Sequence, residues 1–345
     1  MQDKSAQSAM LISSILWGIS PIVVEQILNF STPLDIMTLR FGIAVLASSF
    51  LLPVIKARAG FHLLKNWKCM LIGFLIAMGY LTSTIGQELT TAGLATLIST
   101  SYIIIVPFLS WRIENTSLSK KIFLLATIAS IGIFLISYNG DLRSLSSTNG
   151  IGIVLLLIAA SVWGLNIVLS SQLITEIKNN YGKHDPLSFL YATLVYTFVP
   201  LFFLSILTKS QAFSSLRYTL PYLIFLGIFT TILTFGLHNW ALSRLGSVKT
   251  TFYLLIQVIV PFGFEFLFGS FTYSTWVISG ISLVLLSMVL LEFPSDISRF
   301  VTSRLRIKNL RMSYFQKLVD KIFFHLQGVD GENACDLYKL IGREN

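Results

Sequence analysis

The chain has 345 residues, of which 54% are hydrophobic and only 12% are charged, and its mean hydropathy is +0.75. Soluble domains carry roughly 25% charged residues. A soluble fold of this length would need more charge than this to cover its apolar core, so the composition excludes an ordinary soluble enzyme. It indicates a protein whose solvent is lipid.

Apolar stretches that are long enough to cross a bilayer recur as far as residue 292. A helix needs roughly 20 mostly apolar residues to cross the hydrocarbon layer. We therefore predict an all-α integral membrane protein with ten transmembrane helices. The predicted limits are 8–30, 34–55, 67–86, 92–111, 120–138, 150–173, 187–207, 219–239, 247–269 and 274–292. The first stretch lacks a strongly basic start and a small-residue cleavage site, so we expect a retained helix and not a signal peptide.

The distribution of Lys and Arg predicts the orientation. With the amino terminus inside, twelve of the 25 basic residues fall on the cytoplasmic side and three on the outer side, and the others are Arg40 and nine residues of the tail. Cytoplasmic loops are enriched in Lys and Arg, so we predict that both termini are cytoplasmic. The lack of a transit-peptide pattern favours the plasma membrane. Topology also explains the net charge of +9 without a nucleic-acid partner.

The last segment, residues 293–345, is a basic amphipathic tail. Basic residues such as Arg304 and Arg306 alternate with apolar ones such as Leu305 and Leu310. This pattern suits an anionic lipid surface, and a solvated extension is the alternative. The only two cysteines of the sequence, Cys69 and Cys335, match no zinc or disulfide spacing, so we predict no metal and no cofactor.

Short motifs recur in the same order in the two halves of the chain. Trp17-Gly18 pairs with Trp163-Gly164 at an offset of 146, Pro33-Leu34 with Pro186-Leu187 and Gly93 with Gly246 at 153, and Gly73 with Gly227 and Pro107 with Pro261 at 154. We therefore predict two five-helix units, residues 1–149 and 150–292, followed by the tail. Because five is odd, the second unit enters the membrane from the opposite side. Such inverted repeats are frequent in secondary transporters.

These motifs resemble the EamA-type transporters of the drug/metabolite transporter superfamily over residues 8–292. The resemblance is carried by the early Trp-Gly of each half, by the stretch PLDIMTLRFGIA, and by ELTTAGLATLIS and its counterpart ALSRLGSVKTTF, each followed by a proline-bearing helix. It implies a ten-helix permease with a central cavity lined mainly by helices 1, 3, 4, 6, 8 and 9, often exporting amino acids or other small metabolites. The chain departs from the family at WRIENTS and FLFGSFTY, which lack the usual Gly-Glu pair.

Aromatic, amide and histidine side chains on the cavity-lining helices of the family are the candidates for substrate binding. Polar groups there would orient a substrate and aromatic rings would supply apolar contact, whereas helix packing is the alternative for each. His238 is either a proton shuttle or a hydrogen-bonded group near a helix end. Pro107 and Pro261 are expected to kink their helices. The candidates are Trp17, Tyr80, Gln87, Tyr102, Trp163, Asn166, His238, Asn239, Tyr253 and Gln257.

Three ionisable residues fall inside predicted helices and are candidates for gating or ion coupling. Arg40 lies seven residues after Pro33, about 10 Å into the membrane. Glu25 and Glu265 each lie near the outer end of a predicted helix, where an interfacial charge is the alternative. A charge in hydrocarbon is costly, so we expect Arg40 to find a carboxylate or carbonyls, and Glu265 is the preferred partner because it would join the two halves.

No catalytic motif such as HExxH, GxSxG or GxxxxGK[ST] occurs in the sequence, so no catalytic residue is predicted. We expect a gradient-driven exporter of a small organic metabolite that works by alternating access, with the proton as the candidate coupling ion. One alternative is a membrane-embedded enzyme acting on lipid-like substrates, which should show clustered acids or histidines. Another is a sensor that signals through the basic tail, which would not need the internal repeat.

The predicted topology can be tested by cysteine labelling. In a background where Cys69 and Cys335 are replaced by serine, we expect Ser147→Cys to react with an impermeant thiol reagent from outside the cell. Asn180→Cys should react only after the membrane is permeabilised, because the charge distribution places it inside. Labelling of both positions from outside would refute the arrangement.

Overall fold

The computed structural model describes residues 3–51, 63–90, 92–117, 119–138, 150–181, 186–209, 216–267 and 274–292. Within these ranges the chain is helical and contains no strand. The helices are α1 Lys4–Leu28, α2 Pro33–Leu51, α3 Trp67–Glu88, α4 Ala92–Ser99, α5 Tyr102–Ile113, α6 Lys120–Tyr138, α7 Gly150–Tyr181, α8 Pro186–Leu207, α9 Leu216–Gly227, the π-helix π1 Ile228–Leu233, α10 Thr234–Tyr253, α11 Ile256–Leu267 and α12 Thr275–Glu292.

Seven helical stretches of the described chain are long and apolar enough to cross a membrane. One of them, Leu216–Pro261, has 46 residues and exceeds twice the length that one crossing needs. Large apolar side chains point outward on these helices, and Phe50 and Phe203 are 80% and 62% exposed. Apolar side chains on the outside are typical of a protein surrounded by lipid. The exact number of ten crossings stays a prediction.

Contacts between helix ends define one end of the bundle. Asp3 pairs with Arg244, with 2.6 Å between Oδ2 and Nη1, so the start of α1 lies beside the later part of α10. Asp3 also caps α1 by accepting a hydrogen bond from the Ala6 amide. Hydrogen bonds from Ser5, from Arg244 and from the Ala6 amide hold the pKa of Asp3 at about 2. We call this end of the bundle, where α1 begins, the N-terminal end.

A matched pair of glycines brings the two halves into close contact. A Cβ added at Gly73 would lie 2.5 Å from Tyr196 Cβ and 2.7 Å from the carbonyl oxygen of Thr193, so α3 touches the backbone of α8. A Cβ added at Gly227, the sequence counterpart of Gly73, would lie 3.1 Å from the carbonyl oxygen of Arg40, so α9 touches α2 in the same way.

The partners of these two glycines obey the same repeat. Thr193 and Tyr196 stand 153 residues after Arg40 and Ile43, and Ile43 is the other residue that a Cβ at Gly227 would meet. The two helix contacts are therefore related by exchange of the halves. Small residues at helix crossings allow the backbones to approach closely, which is the main source of helix association in lipid.

Two helices are interrupted at positions other than those expected from their prolines. Pro107 and Pro261 lie inside α5 and α11, but each helix is interrupted about six residues earlier, at Thr100–Ser101 and Leu254–Leu255. Amides there bond three residues back, as from Leu255 to the Phe252 carbonyl, so the turns are tighter than in an α-helix. The interruptions match at an offset of 154, so they belong to the repeat.

Pro261 removes one backbone hydrogen bond from α11. Pro261 has no N–H to donate to the carbonyl of Gln257, four residues earlier. That oxygen faces α1, because a Cβ added at Gly18 would lie 2.8 Å from it and 2.6 Å from Val260 Cβ. The Trp-Gly motif of the first half is therefore the place where α1 packs against the Gln257 carbonyl of α11.

Several predicted features lie outside the described residues. These are the basic tail 293–345 with Cys335, residues 52–62 with Lys56 and Arg58, residues 139–149 with Ser147, and the stretch 268–273 with its Gly269-Ser270 pair. The predictions for them stand as made from the sequence.

The close contact at Gly73 predicts a stability defect. We expect Gly73→Ala to lower the free energy of unfolding by about 1–3 kcal/mol, because the new methyl group meets the backbone of α8. Gly236→Ala is the matched control, since its Cβ would meet only Leu190 Cδ2 at 3.8 Å and alanine favours the helix. Thermal unfolding in detergent measures both, and an equally stable Gly73→Ala protein would contradict the packing.

Candidate functional site

One cavity lies between the two halves of the chain and has about 780 Å³ of empty volume, its open mouth included. Its lining comes from the middle of α1, from α3, α4, the break before α5, the middle of α7, α10, and the break before α11. The described lining residues are Trp17, Ser20, Pro21, Tyr80, Ser83, Gln87, Ala95, Thr96, Ser99, Tyr102, Trp163, Asn166, Ile167, Phe235, His238, Leu254 and Gln257.

Eight of the ten residues proposed from the sequence for substrate binding lie in this lining. The other two, Asn239 and Tyr253, are buried but do not line it. Asn239 follows His238, consecutive side chains on an α-helix point about 100° apart, and the rotation of α10 brings His238 and not Asn239 into the lining. His238 itself lies inside the long helical stretch and not near a helix end.

Two edge-to-face aromatic pairs lie next to each other in the lining of the cavity, since the rings of Tyr80 and Phe235 have centroids 6.2 Å apart. The rings of Trp17 and Phe235 have centroids 5.1 Å apart, and those of Trp163 and Tyr80 have centroids 4.9 Å apart. Trp17 and Trp163 are repeat partners, and Phe235 stands near the repeat counterpart of Tyr80. The same kind of edge-to-face aromatic pair therefore occurs twice in the lining, and the rings offer flat apolar surfaces to a ligand.

The amide side chains of the lining tie helices together. Gln87 Nε2 donates to the carbonyl oxygen of Pro21 at 2.6 Å. Gln257 Nε2 donates to the Tyr102 hydroxyl at 2.8 Å, and this bond links the helix breaks of the two halves. Asn166 Nδ2 donates to the carbonyl of Ile72 at 3.3 Å. Each amide oxygen is left to accept from a neighbour, water or ligand.

Two buried nitrogen atoms of the lining have no hydrogen-bond partner among the described residues, Trp17 Nε1 and His238 Nδ1. Their rings pack against each other with centroids 5.1 Å apart. A buried polar atom without a partner costs roughly 1–3 kcal/mol. Both residues line the cavity, so a ligand in it is the natural partner. The described residues contain no group of His, Cys, Asp and Glu able to hold a metal ion.

Arg40 lies behind the cavity and is only 1% exposed. Its guanidinium donates to the hydroxyl groups of Ser20 and Tyr80, which line the cavity, and to groups of π1. Glu25 is exposed, and the side chain of Glu265 lies outside the described residues. The Arg40–Glu265 pair therefore stays a prediction, while the partners of Arg40 among the described residues are hydroxyls and one carbonyl.

A polar cluster joins the halves at the N-terminal end. Ser110 and Ser247 both donate to Glu114 Oε2 at 2.5 Å, and Ser110 also bonds with Thr116. Ser247 follows Gly246, whose φ of +76° allows the chain to turn there at little cost. None of these residues lines the cavity, which instead extends to Gln87 at the opposite end of α3. At this end side-chain hydrogen bonds hold the two halves in contact.

Sequence reasoning missed about half of the lining. Ser20, Ser83 and Ile167 lie three or four residues from Trp17, Tyr80 and Trp163, and helical spacing could have found them. Phe235 lies one residue after Thr234, the counterpart of Tyr80 at an offset of 154, so the repeat pointed to its neighbourhood. Ala95, Thr96, Ser99 and Leu254 line the cavity because the helices are interrupted after them, and nothing in the sequence marked those positions.

Comparison with known proteins gives the same assignment as the motifs. The chain matches the EamA-like transporter family over residues 4–138 and 150–293. It belongs to this family. The two matched ranges are the two halves that the repeat defines, so the resemblance to the drug/metabolite transporter superfamily is confirmed. The chain is a multi-pass membrane protein of a transporter family whose members act on small molecules.

Two relatives support the assignment at different levels. An uncharacterized transporter of Archaeoglobus fulgidus is 29% identical over 168 residues, which are 48% of this chain and 49% of that protein, so the match spans about half of each. A solved crystal structure with 12% identity has a TM-score of 0.66 over 84% of this chain and 96% of its own. At that identity the likeness shows the fold alone.

The unpartnered nitrogen of His238 predicts a separation of stability from activity. We expect His238→Phe to leave the melting temperature unchanged or higher, because it removes a buried polar atom that has no partner. Transport of a compound carried by the natural protein should fall at least tenfold. His238→Asn is the control, since its amide keeps a polar group near Nδ1, and it should retain part of the activity. Equal transport by all three proteins would exclude a role for this nitrogen.

Proposed function

We propose that the chain is a gradient-driven secondary transporter that exports a small organic metabolite by alternating access. The observation that carries the proposal is the cavity between the two halves. Aromatic rings and a few polar groups line it, and the two halves are in contact at one end of the bundle. A site shared by two related halves can be exposed to either side in turn when the halves exchange conformations.

The contact between the two halves at the N-terminal end supports the same mechanism. Glu114 of the first half binds Ser247 of the second, and the cavity reaches toward the opposite end. If the amino terminus is cytoplasmic, as the basic residues predict, this arrangement corresponds to a state that faces outward. Return to the inward state would separate Glu114 from Ser247 and bring the halves together at the other end.

The proton remains the proposed coupling ion, and Glu265 and Arg40 remain the proposed gate. A carboxylate that leaves a cation for a less polar site binds a proton more readily, which would couple protonation to opening. The hydrogen bonds of Arg40 to Ser20, to Tyr80 and to π1 suggest a further role for this arginine.

Reconstitution into liposomes tests the function. We expect at least one compound of a metabolite panel to cross faster than in protein-free vesicles when a proton gradient is imposed. Ser83→Phe should abolish that transport, because Ser83 lines the cavity and the new ring would occupy part of it.

The matched control is Ser161→Phe, since Ser161 is exposed on α7 outside the cavity. This protein should transport like the natural one. Equal transport by Ser83→Phe would show that the substrate takes another route, and failure of every panel compound would refute the transport proposal.

A further inference from the structure

The guanidinium of Arg40 is held by neutral groups on three other helical segments. Nε donates to Thr231 Oγ1 at 2.8 Å, and Nη2 donates to the hydroxyl and the carbonyl of Thr230, both at 3.0 Å. Nη1 donates to Ser20 Oγ at 3.2 Å, and Nη2 also reaches the Tyr80 hydroxyl at 3.3 Å. The guanidinium carbon lies 4.5 Å from the centre of the Tyr80 ring.

These contacts satisfy hydrogen bonds but do not neutralise the charge. The ion pairs found in the described part of the chain are Lys68–Glu176 and Arg244–Asp3, and neither involves Arg40. Arginine stays protonated in proteins, so burial does not remove its charge. An isolated buried cation is costly, and such residues inside membranes usually serve function. The arrangement is stabilised further by any anion that binds close to it.

The neighbouring space is the cavity. Ser20 and Tyr80 contact Arg40 on one side and line the cavity on the other. A hydroxyl that accepts a hydrogen bond from a cation becomes a stronger donor through its own proton. The described lining contains no Asp, Glu, Lys or Arg, so the charge of Arg40 sets the sign of the potential there.

The second half of the chain has no charged residue at the position that corresponds to Arg40 in the first half. The counterpart of Arg40 at an offset of 153 is Thr193, whose hydroxyl donates to carbonyls of its own helix, those of Phe189 and Leu190. The π-helix π1 contains the Arg40 partners Thr230 and Thr231, whereas its counterpart in the first half, residues 74–79, is ordinary α-helix. Local π-helices are frequent at functional sites.

We propose that the cavity selects an organic anion with a flat apolar body and one carboxylate. The carboxylate accepts hydrogen bonds from Ser20 and Tyr80 and offsets the charge of Arg40, while the body lies against the aromatic rings of the lining. An ammonium group finds no carboxylate among the described lining residues, so a simple acid binds better than a zwitterion of the same shape. This inference rests on the transport function proposed above and specifies its substrate class.

Binding of matched compounds to purified protein tests the inference without requiring transport. The probes are carboxylates of one to three fused rings, each with its primary amide and its α-amino acid analogue, and quenching of tryptophan fluorescence in detergent measures binding. We expect each acid that binds to do so at least tenfold more tightly than its amide. A charge about 7 Å away at an effective dielectric constant of about 20 has an effect of this order.

Variants separate charge from structure. Arg40→Gln should remove the preference for acid over amide, and Arg40→Lys should restore part of it. Tyr80→Phe should weaken acid binding several-fold while leaving Arg40 in place. Thr193→Ala at the counterpart position is the control and should keep the preference. An Arg40→Gln protein that fails to fold leaves Tyr80→Phe and Arg40→Lys to decide the matter.

Several results would overturn the inference: amides or amino acids binding as tightly as the acids, no binding of any acid, or an unchanged preference in the Arg40 and Tyr80 variants. Recovery of function in Arg40→Glu combined with Glu265→Arg would instead favour the gating pair. Transport of neutral compounds alone would refute the inference and leave the transporter proposal standing. Acid binding without transport in liposomes would refute the transporter proposal and leave the inference about acid binding standing.

Discussion

Lipid offers no hydrogen-bond partners, and this constraint decides where every polar side chain of the bundle lies. Serine and threonine hydroxyls bond to helix carbonyls, as Ser14 does with the carbonyls of Met10 and Tyr253. Charged groups such as Lys68 and Glu176 pair at helix ends. The remaining polar groups gather between the two halves, where they satisfy one another around a cavity. In the described part of the chain, the polar region between the halves is thus also the region that can bind a solute.

Close helix contacts give that region its walls. In lipid the hydrophobic effect does not drive helices together, so association depends on packing that small residues permit. Gly73 and Gly227 let α3 and α9 touch the backbones of α8 and α2, and Gly132 and Gly280 do the same for α6 and α12. Because the contacts at Gly73 and Gly227 are related by the repeat, the two halves form interfaces of the same kind there, as exchange of conformations between the halves requires.

The chemistry of the cavity does not share this symmetry. Tyr80 and Trp163 repeat the packing of Phe235 and Trp17, yet Arg40 has only Thr193 as its counterpart. A symmetric frame allows the inward and outward states to have similar energies. A single charged position gives one orientation of substrate in place of two. The symmetric helix packing and the single charged position thus have different roles, which explains why only the first half carries a buried cation at this position.

The sequence by itself determined the solvent, the helical class and the two related halves, because hydropathy and the spacing of residues such as Gly73 and Gly227 are local properties. It also named most polar residues of the cavity. Only the tertiary structure decided that His238 and not Asn239 faces it, that the helices break at Thr100 and Leu254 upstream of the prolines, and that Arg40 meets Thr231. That last contact joins residues 191 positions apart. Such choices depend on the rotation of each helix against its neighbours, which packing sets and no local pattern records.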